Sequence, residues 1–588
     1  MKSTKNKLYT AILASLLATS VTACGGSGSS DPTPEIKTVT ANLEINSNTY
    51  RNNLFCYNQA TADEKICNIR MFQVMVEAFQ DGDESINYNI GYGPSNHKGD
   101  LQGIIDSLGY IQGLGMNAIW LTPVFQSTDL ATPTKELDAT GYFGEDYYKV
   151  DPHFGNTDKL KELVDAAHER GIYVFLDGVF GHFKGTINTL SPTNKQIVTR
   201  GTCTYYNSDT SRTYEKEVCN ENATECSTKC SDFGDDSTLN FYKELAAHYI
   251  TEYKIDGWRL DQAYQVPVSD WKEIREAVEA AAAVTTYQDQ HGESVHPLGY
   301  MVGEVWGSED GIKTYGYGSD TTQGLKSNFD FNTRYGIVQA LAVEEYGNYN
   351  HSGVTIQNKL KAAENTYPDF AVPNYFLTNH DVVRFGDLIQ RAKKKKAISS
   401  ENYFKRYKVA HAAVTAMSGP ITLYYGDEWG QEVQGFDVKV DDEKCSPKVC
   451  DDHVSRSTGK ISDFNPDQEN LKNFVTNMMK LRAEVKAISM GSLTDIGTDK
   501  NLFAVKKTYG DSEVLVVLNV QENVKVEAEF DASIFNDAEA QTNVAVFSSE
   551  DSSEDPIRDP VIVYPEGTSY KVTLEPLSAV LIYVPQQN

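Results

Sequence analysis

Two charged residues in the stretch Asp256-Gly-Trp-Arg-Leu-Asp261 are spaced for joint chemistry. Side chains alternate between the two faces of an extended chain, so Arg259 and Asp261 project the same way. A guanidinium beside a carboxylate favours its ionised form. An ionised, oriented carboxylate is what a double-displacement glycosidase uses as its nucleophile. Alone, the pair reads equally well as a structural ion pair at a strand end.

Three further segments share the form of a short apolar run ending in reactive polar residues. They are Gly171-Ile-Tyr-Val-Phe-Leu-Asp177-Gly-Val-Phe-Gly-His182, Gly299-Tyr-Met-Val-Gly-Glu304-Val-Trp306 and Tyr375-Phe-Leu-Thr-Asn379-His380-Asp381. Continuous apolar runs suit strands buried on both faces of a parallel sheet. Polar residues at the C-terminal ends of such strands mark the active-site face of a (β/α)₈ barrel. Each residue alone has a structural explanation; four such strand ends, separated by helix-length stretches, do not arise readily by accident.

Together these segments resemble the conserved regions of the α-amylase family of glycoside hydrolases, in their usual order. Asp177 to His182 resembles the first region, Gly257 to Asp261 the second, Gly303-Glu304 the third and Asn379-His380-Asp381 the fourth. Gly115 to Pro123 resembles the family's second barrel strand, and Gly141 to Asp151 the segment carrying a sugar-stacking tyrosine. The resemblance implies Asp261 as nucleophile, Glu304 as general acid/base and Asp381 as the carboxylate that steadies the transition state. It implies that Arg259 keeps Asp261 ionised, that Asp177 braces Arg259, and that His182, His380 and Tyr142 contact the sugar before the cleaved bond. Arg384 is placed with these substrate-binding residues. Retention requires the two reacting carboxyls about 5–5.5 Å apart, one of them protonated.

The family pattern fails at two points. Gly181 stands where the family has a calcium-binding asparagine, and Gln262-Ala-Tyr264-Gln265 replaces the usual continuation that lends the same ion a carbonyl. The usual Ca²⁺ site is therefore not expected. Asp81 and Asp83, with Asn87 and Asn89 nearby, form a second candidate Ca²⁺ loop, since clustered oxygens suit that ion. An ordinary Asp-Gly turn explains the same residues.

The 588 residues are 40% hydrophobic, more than one ordinary domain requires. Mean hydropathy is -0.44, and the long apolar run is N-terminal. There Lys2, Lys5 and Lys7 precede the apolar stretch Ala11 to Ala18, as in a signal peptide. Val21-Thr-Ala-Cys24 resembles the bacterial lipobox, which implies cleavage before Cys24, a lipid on that cysteine and a membrane partner. Gly25 to Ser30 reads as a flexible tether. The expected address is the outer membrane or cell surface, with the chain a monomer.

Eight further cysteines in local groups suggest disulfides in an exported protein. Cys56 with Cys67 and Cys445 with Cys450 are the expected pairs; the pairing of Cys203, Cys219, Cys226 and Cys230 stays open. A formal charge of -29 disfavours nucleic-acid binding. The run Lys393 to Lys396 reads as a solvated helix face.

The expected organisation is an α/β chain. Residues 1–23 are signal peptide and 24–50 tether. Residues 51–182 and 240–490 form a (β/α)₈ TIM barrel, with a small B domain, 183–239, inserted after strand 3. Residues 491–588 form an all-β sandwich. The eight strands are placed near Phe72–Phe79, Ala118–Leu121, Tyr173–Leu176, Gly257–Leu260, Met301–Gly303, Asn328–Phe331, Tyr375–Leu377 and Thr422–Tyr425. Helices are expected over Asp158 to Arg170 and Trp271 to Ala283.

The leading functional expectation is a retaining α-amylase acting on α-1,4 links of starch-like glucans. Within the family, a neopullulanase- or cyclomaltodextrinase-like enzyme, an α-glucosidase or a transglycosylase are alternatives. Val179-Phe180-Gly-His182 and Gly303-Glu-Val-Trp306 lean toward the neopullulanase-like group. Trp306 and Tyr264 could stack on acceptor sugars or simply pack at the barrel rim. A glycan-binding lipoprotein without catalysis would lack a carboxylate; all three are present.

Overall fold

The computed structural model describes residues 35–46, 50–184, 187, 189–201, 203–207, 210–214, 228–433, 454–550, 558 and 560–584. Eight parallel strands close into a barrel: β1 (Arg70–Val74), β2 (Ala118–Leu121), β3 (Tyr173–Gly178), β4 (Gly257–Leu260), β5 (Tyr300–Gly303), β6 (Ser327–Phe329), β7 (Val372–Phe376) and β8 (Ile421–Tyr424). Each pairs with its sequence neighbour, and β8 pairs with β1. All eight expected strands overlap these. β1 is shorter than expected, because residues 76–78 curl into a 3₁₀ turn.

The two-residue period of the strands sorts the side chains into two cores. Met71, Ala118, Trp120, Phe175, Tyr300, Val302, Phe329 and Phe376 fill a cluster inside the barrel. Phe72, Val74, Ile119, Leu121, Val174, Leu176, Trp258 and Leu260 join the larger cluster with the helices. Arg259 therefore faces the interior, because its neighbours Trp258 and Leu260 face outward. At Gly257, φ is +153°, and a Cβ would lie 1.8 Å from the Tyr300 carbonyl oxygen, so this strand start accepts no side chain.

The crossover helices follow their apolar stripes. Helix α1 (Leu101–Gly113) starts at Asp100, whose Oδ1 accepts from Gly103 N–H. Helix α2 (Thr157–His168) buries Leu160, Leu163, Val164 and Ala167, an i, i+3, i+4, i+7 stripe. Helix α3 (Asp236–Glu252) and helix α4 (Val268–Val284) pack against each other. Lys393 to Lys396, at and just beyond the end of the Phe385–Lys394 helix, are all exposed.

Between β3 and α3 the chain forms two small sheets. One orders His182–Lys184, Thr228–Ser231 and Arg200–Gly201; the other is the hairpin Cys203–Asn207 with Thr210–Tyr214. After the barrel come antiparallel strands in a six-stranded sheet, from Ser492–Asp495 to Val561–Val563, and a second sheet containing Val524–Asp531 and Ser569–Leu574.

Residues 37–42 correct the tether expected over 24–50. They form a strand, Lys37–Asn42, paired in parallel with Val524–Asp531. Val39 and Ala41 pack on the C-terminal core, and Leu43 is buried within it. The stripe is two small residues long, too short to separate from a linker by pattern. No helix among the described residues is long and apolar enough to cross a membrane.

Cys56 and Cys67 form the expected disulfide, and Cys230 is also disulfide-bonded. Cys445, Cys450 and Cys24 lie outside the described residues. The Cys56–Cys67 bridge closes a loop with a sequence separation of 11. By loop-closure entropy such a crosslink contributes about 3 kcal/mol. Replacing both cysteines with serine is expected to lower the melting temperature in scanning calorimetry. An unchanged transition would mean that packing alone holds the loop.

Candidate active site

Arg259 organises the C-terminal mouth of the barrel. It is fully buried. Its Nη1 donates to both oxygens of Asp177 and to Asp261 Oδ1, each at 2.9 Å. Its Nη2 donates to Glu304 Oε2 at 2.8 Å. Asp177 ends β3, Asp261 follows β4 and Glu304 follows β5, all on the inward-facing parity. One planar guanidinium thus sets the spacing of two carboxyls brought by adjacent strands. Each keeps one oxygen free: Asp261 Oδ2 and Glu304 Oε1 have no hydrogen-bond partner among the described residues, whereas Glu304 Oε2 also accepts from Gln262 N–H at 3.1 Å.

Asp177 braces the assembly. It also accepts from Trp120 Nε1 at 3.0 Å and from the Tyr142 hydroxyl at 2.8 Å. The Arg259 guanidinium lies 4.9 Å from the Trp120 ring centroid. His380 Nε2 lies 2.5 Å from the Tyr142 oxygen, and His380 Nδ1 lies 2.7 Å from Gln73 Nε2. The Tyr142 and His380 rings are stacked at 5.3 Å. The tyrosine expected to meet a sugar is thus tied to His380 through its hydroxyl.

Asp381 is the least buried of the three candidate catalytic carboxyls, with 25% of its side chain exposed. Its backbone is fixed by Asn379, whose Oδ1 accepts from the N–H groups of residues 381 and 382. Its Oδ1 accepts from Arg456 Nη2 at 2.9 Å, and Arg456 Nε donates to the His380 carbonyl. Arg456 was not legible in the sequence: it stands between two serines, far along the chain, with no periodicity around it. Gln73 left a trace, a lone polar residue inside the apolar run of β1.

Arg384 is corrected. It is fully buried behind the site, donating to the Tyr425 carbonyl at 2.9 Å and to Asp427 at 3.2 Å, with the Tyr424 ring 4.5 Å away. It stands three residues past Asp381, but there the chain turns into the next helix and carries the side chain into the core. Trp306 is 38% exposed, stacked on Phe331 and donating to the Tyr335 hydroxyl.

Burial and charge set the proton affinities. Burial pushes Asp261 up to about 7, with Arg259 opposing and Asp177 and Asp381 adding to the rise. Burial pushes Glu304 up to about 8, again opposed by Arg259 and helped by Asp261 and Asp381. Arg259 favours the ionised form of Asp261 as expected, but burial outweighs it. The order is still the one a general acid beside a nucleophile needs: Glu304 is the last to lose its proton.

At the candidate Ca²⁺ loop, Asp81 and Asp83 have partners within the protein. Asp100 Oδ2 accepts the N–H groups of Gly82 and Asp83, and Asp83 Oδ1 accepts from Ser85. Asp81 faces Lys98 at 3.9 Å. The loop is thus closed by its own donors and a lysine. Among the described residues no group of three or more His, Cys, Asp or Glu side chains could hold a metal.

Arg456→Met, which keeps the stem and removes the charge, is expected to lower kcat/KM on a maltooligosaccharide by roughly 10- to 100-fold, the effect of losing a hydrogen bond to a charged group. Steady-state kinetics checks this; an unchanged value would mean that Asp381 needs no support.

The profile described as Alpha amylase, catalytic domain, matches residues 73–460. The crystal structure of AmyP in complex with maltose is 37% identical, with a TM-score of 0.76, covering 89% of this chain and 98% of that one. The cyclomaltodextrinase of Thermoanaerobacter pseudethanolicus is 27% identical over 481 residues, 78% of this chain and 71% of its own. The intracellular maltogenic amylase of Bacillus subtilis is 33% identical over 217 residues, 36% of this chain and 32% of its own. With the barrel and the four strand ends, these matches establish that the chain belongs to the α-amylase family of glycoside hydrolases.

Proposed function

We propose that this protein is a retaining hydrolase of α-1,4-glucosidic bonds in starch-like glucans and maltooligosaccharides. The observation that carries the reading is that Arg259 anchors one oxygen of Asp261 and one of Glu304 while leaving the other of each free. Protonated Glu304 gives its proton to the glycosidic oxygen as the C1–O bond breaks. Asp261 Oδ2 attacks C1 and forms a glycosyl ester. Glu304, now ionised, takes a proton from water, whose oxygen attacks C1 and releases the sugar and Asp261. Asp381, held by Arg456, supplies negative charge beside the oxocarbenium-like transition state.

AmyP, similar over nearly its whole length, was crystallised with maltose and, as a glutamate-to-glutamine variant, with maltotriose. That supports linear α-1,4-glucans as ligands. A second reading, cleavage of cyclic maltodextrins, is favoured by the cyclomaltodextrinase and neopullulanase relatives and by the exposed Trp306 just beyond Glu304. The lipobox-like Val21 to Cys24 supports a lipid-anchored protein outside the cytoplasm.

A timed product profile decides between the readings. Early mixed maltooligosaccharides from soluble starch are expected; preference for a cyclodextrin, with starch left long, would favour the second. Asp261→Asn is expected to lower turnover by about ten-thousand-fold or more while maltotriose still binds. Near-normal turnover would refute the nucleophile assignment. The free enzyme's kcat/KM is expected to be bell-shaped. Below the first ionisation, about 7, the nucleophile is protonated; above the second, about 8, the acid is spent. Both limbs belong to the coupled pair. Glu304→Gln should remove the alkaline limb.

A further inference from the structure

Gly181 and Gln265 depart from the family pattern together, and the structure shows why. A Cβ at residue 181 would lie 2.3 Å from Gln265 Oε1 and 2.5 Å from Gln265 Cβ. The Gln265 side chain thus fills the space that any larger residue before His182 would need. There Gln265 Oε1 meets His182 Nδ1 at 2.9 Å. Gln265 Nε2 donates to Gln262 Oε1 at 2.8 Å, which also accepts from the Tyr264 hydroxyl at 2.9 Å. The Gly181 carbonyl, for its part, accepts from Ser231 N–H in the inserted sheet.

The turn at 262–265 touches the reacting groups on its other side. Gln262 has a left-handed backbone, φ +40°, a conformation that costs a non-glycine residue free energy and is kept where the surroundings enforce it. Here its N–H donates to Glu304 Oε2, and Ala263 N–H donates to the Glu304 carbonyl. His182 Nε2 lies 3.9 Å from Asp261 Oδ2, the free oxygen of the candidate nucleophile. One four-residue turn therefore holds Glu304 through its backbone and His182 through its side chains.

We infer that Gln265 is the positioning residue for His182, and that the neutral relay Tyr264–Gln262–Gln265–His182 takes the place of the family's calcium in joining the inserted domain to the nucleophile's turn. The inference rests on the glucan-hydrolase reading for its kinetic tests. A neutral partner suits the site. His182 is faced by Asp261, the Phe143 ring, the Tyr142 backbone and Gln265. Burial lowers the proton affinity of its ring, which favours the neutral form. A neutral imidazole beside the nucleophile can hydrogen-bond a sugar hydroxyl without forming an ion pair with Asp261.

The test compares Gln265→Leu and Gln265→Glu with the wild type on maltotetraose. Gln265→Leu is expected to lower kcat/KM roughly 5- to 100-fold, as for an orphaned buried hydrogen-bond partner, with the pH limbs in place. Gln265→Glu puts a carboxylate against Nδ1, favours the imidazolium and moves the acidic limb to lower pH, which a purely structural role would not do. Gly181→Ala should displace Gln265 and mimic Gln265→Leu, and the double variant should fall no further than either single one. Wild-type activity should survive EDTA unchanged. Wild-type kinetics and pH limbs in both Gln265 variants would overturn the inference, as would a chelator-induced loss restored by Ca²⁺. If the wild type cleaves no glucan, the glucan reading fails. The relay is then judged by histidine NMR: Gln265→Glu should raise the His182 titration midpoint, and an unmoved midpoint rejects it.

Discussion

Three buried carboxyls share one cation. Asp177, Asp261 and Glu304 all hydrogen-bond to Arg259, and among the described residues no lysine or other arginine lies within ion-pair distance of any of them; the His182 imidazole lies 3.9 Å from Asp261. If all three were ionised, the cluster would carry surplus negative charge where water screens poorly. The least costly arrangement keeps a proton on one of them. Asp177 is the poorest holder, because it accepts from the guanidinium, an indole and a phenol. Glu304 is the best, since burial and the charges of Asp261 and Asp381 all favour its protonated form. The stored proton of a general acid thus follows from a charge count.

The barrel makes that count possible. Parallel strands register their inward residues in layers, so side chains at the ends of β3, β4 and β5 arrive at one level. A guanidinium on β4 reaches the carboxyls of both neighbouring strands. The same parity sends Trp258 and Leu260 into the helix layer and holds the strand. A one-residue slip of β4 would put Arg259 in the apolar shell and a tryptophan among the carboxylates. Catalytic geometry and core packing are therefore specified by the same register.

Much of this was legible because it is local. A buried strand must be apolar, so its polar end stands out, and Asp177, Arg259, Asp261, Glu304, His380 and Asp381 were found that way. Residues whose role depends on long-range approach were not. Trp120 was given no role of its own within its strand; its indole N–H is what ties it to Asp177. Arg456 reaches Asp381 from a distant segment. Arg384 shows the opposite error: it was placed with the substrate-binding residues, and the helix turn takes it into the core. The Lys37–Asn42 strand was missed because its partner lies nearly five hundred residues away and its apolar stripe is only Val39 and Ala41.

Asp381 differs from the other two catalytic candidates in being part-exposed and paired with its own arginine. That difference has a use. While the cleft holds water, the charge of Asp381 is screened, and its push on Glu304 and Asp261 is moderate. A sugar entering the cleft displaces that water and lowers the local dielectric. The repulsion then grows, and Glu304 holds its proton more firmly as the leaving oxygen arrives. Arg456 limits the effect, because its positive charge beside Asp381 offsets part of the repulsion. On the proposed mechanism, the outermost carboxylate would couple substrate binding to the state of the acid.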